Sequence, residues 1–273
     1  MNKILYCLIV IILTGCNLTP SKLTCLDIRL WKDTPAWGAA KAVHNGDTVR
    51  IKKILAKGEV SVDYREPTYG QSLLHWAVWR NKADMIKFLL KQGADIHLRD
   101  YWSGRSPIVL ASRYPEINAE IVRLLLENGA NPNDHPSEKD SVFEGRIRST
   151  DTPLTEAARD DLVKTKMLIE AGADPYYCME SGRNALCEAA IQNHCEIVEY
   201  LLFDCGIDPS QSFLITIDRG DTLRLRDILD LIPLNYREVE EYKTSLKRIY
   251  QYLDEWEKKH KVDSTFNCNS TGY

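Results

Sequence analysis

The sequence is short of several things that would fix a function class early. It has no excess of positive charge: 35 Lys and Arg face 39 Asp and Glu, a formal net charge of −4. A non-specific nucleic-acid binder needs a basic surface to release phosphate counterions, so that class is excluded. With 11 Pro and 14 Gly, the chain is neither collagen-like nor low-complexity. It contains no HExxH, GxSxG, P-loop or GxGxxG segment, which removes the common zinc-protease, serine-hydrolase and nucleotide-binding readings. No C-x2-C pair occurs, and the spacings among Cys178, Cys187, Cys195 and Cys205 match no common zinc site. What is present is a chain of 273 residues, 44% hydrophobic and 27% charged. That is too apolar for disorder and long enough for one or two domains or a repeat array.

The one long apolar run is at the start. Ile4 to Leu13 is uninterrupted and follows Lys3. Ten residues are too few for a transmembrane helix, which needs about 20, but suit the core of a secretory signal peptide. The run ends in Leu13-Thr14-Gly15-Cys16. This segment resembles the lipobox of bacterial lipoproteins. The resemblance implies that residues 1–15 are removed and that Cys16 becomes the lipidated first residue, with residues 16–34 as a tether. Several acyl chains would anchor it stably, unlike a single myristoyl. Asn17 stands where an Asp would favour the inner membrane, so the implied place is the cell envelope, on the outer membrane facing the periplasm.

The middle of the chain repeats. Aliphatic helices followed by Gly recur at Gly58, Gly93, Gly129, Gly172 and Gly206, spaced 35, 36, 43 and 34 residues apart. Upstream of each lies a smaller-residue segment, such as SLLHWAVWRNK at 72–82 or TPLTEAARDD at 152–161. Ser72, Ser106, Thr152 and Asn184 sit where a helix N-cap is needed. The second helix of each unit has one apolar face at helical spacing, and the Gly after it suits a left-handed cap. One such pair cannot bury its own apolar face, so the units must stack. Thr152-Pro153-Leu154 with Ala157-Ala158, Ser72-Leu73-Leu74-His75, and Gly-Ala-Asp at 93–95 and 172–174 resemble the ankyrin repeat. The fold class implied is all-α: an ankyrin-repeat solenoid over 35–231, with about five repeats plus a degenerate C-terminal cap unit at 212–231.

Two irregularities stand out. The connection from Gly129 to Leu154 is about eleven residues longer than that from Gly172 to Leu186, and its charged stretch 135–150 reads as an exposed loop. The third unit carries Pro115 between its helices. Outside the array, Leu26, Ile28, Leu30 and Trp31 can pack on the first repeat. Residues 232–273 read as a C-terminal helical cap and tail. There Val239, Tyr242, Leu246, Ile249, Leu253 and Trp256 form a heptad-like seam.

No residue set reads as catalytic, metal-binding or cofactor-binding. His75 occupies the scaffold histidine place of the T-P-L-H motif, and His194 lies at an inter-helix turn. In an oxidising compartment Cys25, Cys178, Cys187, Cys195, Cys205 and Cys268 could pair in 15 ways or remain buried thiols, and the sequence does not choose. Recognition surface remains. Ankyrin arrays hold partners on the concave face formed by loop tips and first helices. The candidates there are Trp79, Arg80, Arg99, Tyr101, Trp102, Arg113, Tyr114, Arg159, Asp160, Tyr176 and Tyr177. Trp, Tyr and Arg are the residue types enriched at binding hot spots.

The chain thus reads as a membrane-anchored, non-enzymatic protein whose partner is another protein, with no nucleic acid or small-molecule substrate. It resembles the ankyrin-type immunity lipoproteins paired with type VI secretion phospholipase effectors, which implies a cognate lipase toxin as the partner. The alternative is a housekeeping envelope scaffold supporting a periplasmic enzyme, such as one in oxidative-stress defence.

Overall fold

The computed structural model describes residues 24–136, 142–143, 146–147, 151–179, 182–211, 213–215, 222–230 and 240–260. The lipobox with Cys16, most of the 135–150 stretch, Val239 and Cys268 lie outside the described residues.

Five helix pairs follow one another: α1 (Trp37–Asn45) with α2 (Thr48–Ala56), α3 (Leu73–Trp79) with α4 (Ala83–Lys91), α5 (Pro107–Arg113) with α6 (Ala119–Glu127), α7 (Pro153–Ala157) with α8 (Leu162–Glu170), and α9 (Ala185–Ile191) with α10 (Cys195–Glu199). The first helix of each pair stacks on the first helix of the next. Alanine makes that approach possible: Ala39, Ala40, Ala42, Ala77, Ala111, Ala157, Ala158, Ala189 and Ala190 are all buried. The second helices supply bulk from one face, with Met85, Ile86 and Leu89 in α4 and Ile121, Val122 and Leu125 in α6 almost fully buried. Truncating one of these to Ala costs about 2–5 kcal/mol, because the stack relaxes only partly around the cavity.

Three of the four expected caps form. Ser72, Thr152 and Asn184 accept from the amides of His75, Thr155 and Cys187. Ser106 does not cap; its hydroxyl donates instead to the buried Asp134 carboxylate of the following repeat. Gly93, Gly129 and Gly172 take φ of +86°, +92° and +90° after the second helices, the left-handed turn that sends the chain into the next unit. Pro115 ends α5, leaving Tyr114 extended as its C-cap.

The two ends close the stack differently. At the N-terminal end a 3-10 turn, Ile28–Trp31, buries Leu30 and Trp31, whereas Leu26 stays 49% exposed and does not join them. At the other end α10 widens into a π turn at Tyr200–Asp204. The sixth unit opens with an antiparallel hairpin, β3 (Phe213–Ile215) and β4 (Thr222–Arg224), in place of a first helix, and continues into α11 (Leu225–Asp230). A second short ladder, β1 (Val142–Phe143) with β2 (Arg146–Ile147), lies within the long insert. The C-terminal helix α12 (Glu240–His260) lies against α10 and the π turn. Leu246, Ile249, Leu253 and Trp256 are its buried stripe. Among the described residues no helix is long and apolar enough to cross a membrane.

Candidate inner-face recognition site

Register decides which side chains reach the inner face. Trp76, Leu110, Glu156 and Glu188 occupy the same place in successive first helices, the variable position before a buried alanine (Ala77, Ala111, Ala157 and Ala189), and all are buried. Three residues later come Trp79, Arg113 and Ile191, each half-buried at the end of its helix, and Arg159, half-buried in the turn just past α7. Arg80 and Asp160, one place further, are exposed.

The centre of the site is aromatic. The Trp79 and Tyr114 rings sit 4.4 Å apart, inclined at 50°, and the Arg113 guanidinium lies 5.6 Å from the Tyr114 ring. With the Gln71 amide oriented to satisfy both neighbours, its oxygen accepts from Trp79 Nε1 and its nitrogen donates to the Cys25 carbonyl, each at 3.2 Å. The segment leading in from the N-terminus therefore runs beside the site. Burial raises the pKa of the Tyr114 hydroxyl, while Arg105 and Arg113 pull it back.

Beneath the arginines lies a sealed layer of carboxylates. Glu156 is fully buried; it accepts from Arg113 Nη1 at 2.7 Å and Arg159 Nη1 at 2.8 Å and pairs with Arg105 at 3.2 Å. Arg159 also donates to Glu188 at 3.0 Å and Asp151 at 3.1 Å, and Arg183 pairs with Glu188 at 3.0 Å. Burial raises the Glu188 carboxyl against the pull of Arg159 and Arg183. Burial alone would lower Arg159, but Glu156, Glu188 and Asp151 outweigh it and hold the guanidinium protonated. Lys164, in α8, is also buried; it donates to the Tyr114 carbonyl at 2.8 Å, and burial lowers its pKa. The Asp160 carboxyl is pushed up to about 6, first by burial and then by nearby acidic groups, although the residue's outer edge reaches solvent.

The loop tips form a second group. Tyr101 lies under the Arg65 guanidinium at 4.3 Å, and its amide donates to the Tyr69 carbonyl at 2.7 Å. A Cβ on Gly70 would stand 2.2 Å from the Tyr101 ring, so only glycine admits this approach. Trp102, 50% exposed, meets Tyr69 edge-to-face at 5.5 Å. Tyr177 packs on His135 at 5.0 Å, and Tyr176 stays 45% exposed. Arg99 differs from the rest. Its guanidinium donates to the Gly104 and His135 carbonyls and to Asp134, clamping the third and fourth units together.

Sequence reasoning did not single out Glu156, Glu188, Asp151, Arg105, Arg183, Gln71 or Lys164. Acidic residues at the buried place of two successive units were the readable signal. His75 does bridge units: Ser72 N–H donates to its Nδ1 and Nε2–H donates to the Arg105 carbonyl at 3.0 Å, so the ring is neutral. Cys187 and Cys195 are buried thiols, Cys187 pushed up to about 12 by burial. No cluster of three or more His, Cys, Asp or Glu side chains suited to a metal occurs among the described residues.

The family model described as ankyrin repeats (3 copies) matches residues 6–100 and 118–212, more than half of the chain. The chain belongs to the ankyrin-repeat family. Similar proteins include human Ankyrin repeat and SOCS box protein 6, 25% identical over 199 residues, 56% of this chain and 47% of that protein. The Putative ankyrin repeat protein L371 of Acanthamoeba polyphaga mimivirus is 26% identical over 218 residues, 75% of this chain and 26% of its own. Mouse Protein phosphatase 1 regulatory subunit 27 is 33% identical over 84 residues, 30% of this chain and 53% of its own. The chain spans about half the length or less of these relatives. The ankyrin array is a protein-interaction module, and the inner face is where its geometry concentrates aromatic and arginine side chains.

Proposed function

We propose that this chain is a lipid-anchored envelope protein whose inner ankyrin face binds and neutralises a phospholipase toxin delivered by type VI secretion. The observation that carries the binding surface is the Trp79–Tyr114 pair with Arg113 beside it, packed in advance on a rigid stack. Rigid aromatic anchors lower the ordering cost of association, so contacts there convert efficiently into affinity. The lipobox-like Leu13-Thr14-Gly15-Cys16 supports the anchor. A toxin that attacks membrane lipid is best met by an inhibitor held at the same surface, where tethering raises the effective concentration.

The test is competition between sister strains. Cells lacking the gene should die when challenged by a toxin-delivering neighbour. The wild-type gene should rescue them, and a Trp79→Ala/Tyr114→Ala variant of unchanged stability should not. Survival of the deletion strain at wild-type level would refute the immunity reading. A stoichiometric partner found in cells with no secretion system would move it to the scaffold alternative. Incorporation of labelled palmitate, abolished by Cys16→Ser, tests the anchor separately.

A further inference from the structure

The polar centre of the aromatic site is Gln71, which is only 4% exposed. Its oxygen accepts from Trp79 Nε1 and its nitrogen donates to the main-chain carbonyl of Cys25, each at 3.2 Å. A primary amide carries one acceptor oxygen and two N–H donors. By taking the oxygen, the indole fixes which way the donors point. What the donor reads is backbone, which any residue type could supply.

The carbonyl it reads belongs to a segment built as a separate piece. Asp27 N–H donates to the Thr24 carbonyl at 2.9 Å, closing a tight turn with Cys25 and Leu26 at its tip. The Asp27 carboxylate serves its own segment, accepting from the Arg29 amide and pairing with the Arg29 guanidinium. Thr24 is exposed, Cys25 half-buried and Leu26 49% exposed, whereas Leu30 and Trp31 keep 6% and 0%. Trp31 packs near Tyr64, with ring centres 6.3 Å apart. The firm hold is thus at Leu30 and Trp31. The turn reaches the array through Cys25, whose thiol also acts electrostatically on the Tyr114 hydroxyl. Lifting the turn would uncover Gln71 beside the aromatic pair and leave the core of the first unit in place.

We propose that Gln71 is a recognition residue that reads a main-chain carbonyl in a loop of the protein partner, and that in the free protein the Thr24–Asp27 turn fills this place and is displaced on binding. This rests on the inner face being the protein-binding surface. The choice of a protein loop follows from the occupant already there: a tight turn that offers a carbonyl, with a small half-buried side chain near Tyr114. The Trp79–Gln71 pair is set before binding, so the partner does not bear its ordering cost. The apparent dissociation constant rises by the inverse of the fraction of molecules with the turn lifted.

Two variants of the full chain test this. Replacing residues 24–27 by Gly-Ser-Gly-Ser keeps the chain length and the Leu30–Trp31 hold and removes the turn. Gln71→Glu keeps an acceptor for Trp79 and removes the donor. Circular dichroism melting checks that both fold; the Gly-Ser chain decides alone if Gln71→Glu does not. The first readout is opening of the site. With 5-fluorotryptophan in the chain, the Trp79 resonance is assigned by its loss in Trp79→Phe, and its H2O/D2O isotope shift reports exposure. The Gly-Ser chain should show at least about twice the wild-type shift. The second readout is protection in strain competition with expression titrated. The Gly-Ser chain should protect at about a third or less of the wild-type expression level. Adding Gln71→Glu to it should raise the level needed at least about fivefold. An unchanged isotope shift, loss of protection in the Gly-Ser chain, or equal protection with and without Gln71→Glu overturns the inference. If the shift doubles while the wild-type chain itself gives no protection, the immunity reading falls and the seating of the turn on the site is upheld.

Discussion

Replacing Glu156 by Gln isolates what the buried charge layer contributes. The side chain is fully buried and is shared by Arg105, Arg113 and Arg159 at 3.2, 2.7 and 2.8 Å. Gln has nearly the same shape, so packing is preserved and the charge alone is removed. Its amide would also turn N–H donors towards guanidinium donors. Removing one partner of a buried ion pair costs about 3–5 kcal/mol, mostly because the remaining charge is left uncompensated. Here the guanidinium groups keep 15–22% of their side chains in solvent, and partial hydration places the cost near the low end, about 3 kcal/mol. For an array of this size each kcal/mol shifts Tm by about 2–4 °C, so the expected loss is about 6–12 °C.

The assay is thermal and urea unfolding followed by circular dichroism, with Glu120→Gln as the control. Glu120 pairs with Arg123 on the surface at 58% and 53% exposure, and should change stability by less than about 0.5 kcal/mol. Because repeat arrays can unfold unit by unit, the urea slope must be compared as well as the midpoint. If Glu156→Gln loses no more than Glu120→Gln, the layer is energetically idle and the reasoning that arginines are held by it fails. A double-mutant cycle with Arg159→Met gives the coupling directly.

Three further outcomes follow from particular contacts. Gly70→Ala should destabilise by well over the about 1–2 kcal/mol that a left-handed residue costs, because the added Cβ meets both the Tyr101 ring and its backbone nitrogen at 2.6 Å or less; Gly93→Ala, also left-handed but with nothing within 4 Å, should lose only that backbone cost, and equal urea midpoints for the two would refute the collision. Burial lowers the pKa of His44, His75 and His194, so on their account the unfolded chain binds more protons; their contribution is fully present above about pH 6.5 and is lost as pH falls below it, while the Asp160 carboxyl, raised to about 6, works the other way, so the check is the difference: from pH 7.5 to 5.5 the urea midpoint of wild type should fall relative to that of His75→Gln. Trp256→Ala, 5% exposed on α12, should cost about 3–5 kcal/mol and raise hydrogen exchange in α10 while leaving α3 and α5 protected.

Much of the array is legible in the sequence because its physics is local and periodic. The glycines at the ends of the second helices, the capping residues Ser72, Thr152 and Asn184, and the apolar stripe of α12 each follow from spacing alone. Legibility fails where a residue's role depends on the neighbouring unit. Ser106 looks like a cap, but Asp134, 28 residues later, takes its hydroxyl. Arg99 looks like a surface contact, but the next unit's Asp134 and His135 hold it. The sixth unit retains the aliphatic pattern of a repeat, yet its first half pairs as β3 and β4.

The inner face shows the same limit most sharply. Arg113 and Arg159 are visible as candidates because Arg at the end of a first helix serves no packing need. Their meaning changes once Glu156 and Glu188 are seen to share the buried place of Trp76 and Leu110. A carboxylate there would be prohibitively costly by itself, so each acid requires cations reaching in from adjacent units: Arg105 and Arg113 from the third to Glu156 in the fourth, and Arg159 from the fourth to Glu188 in the fifth. The same pairs that make the acids tolerable draw the arginines into fixed positions along the face. Stability and recognition are therefore not separable at these residues. A variant that alters binding by changing Arg113 or Arg159 should also lower Tm, whereas changes at Trp102, Tyr176 or Arg80, which carry little of the packing, should alter binding alone.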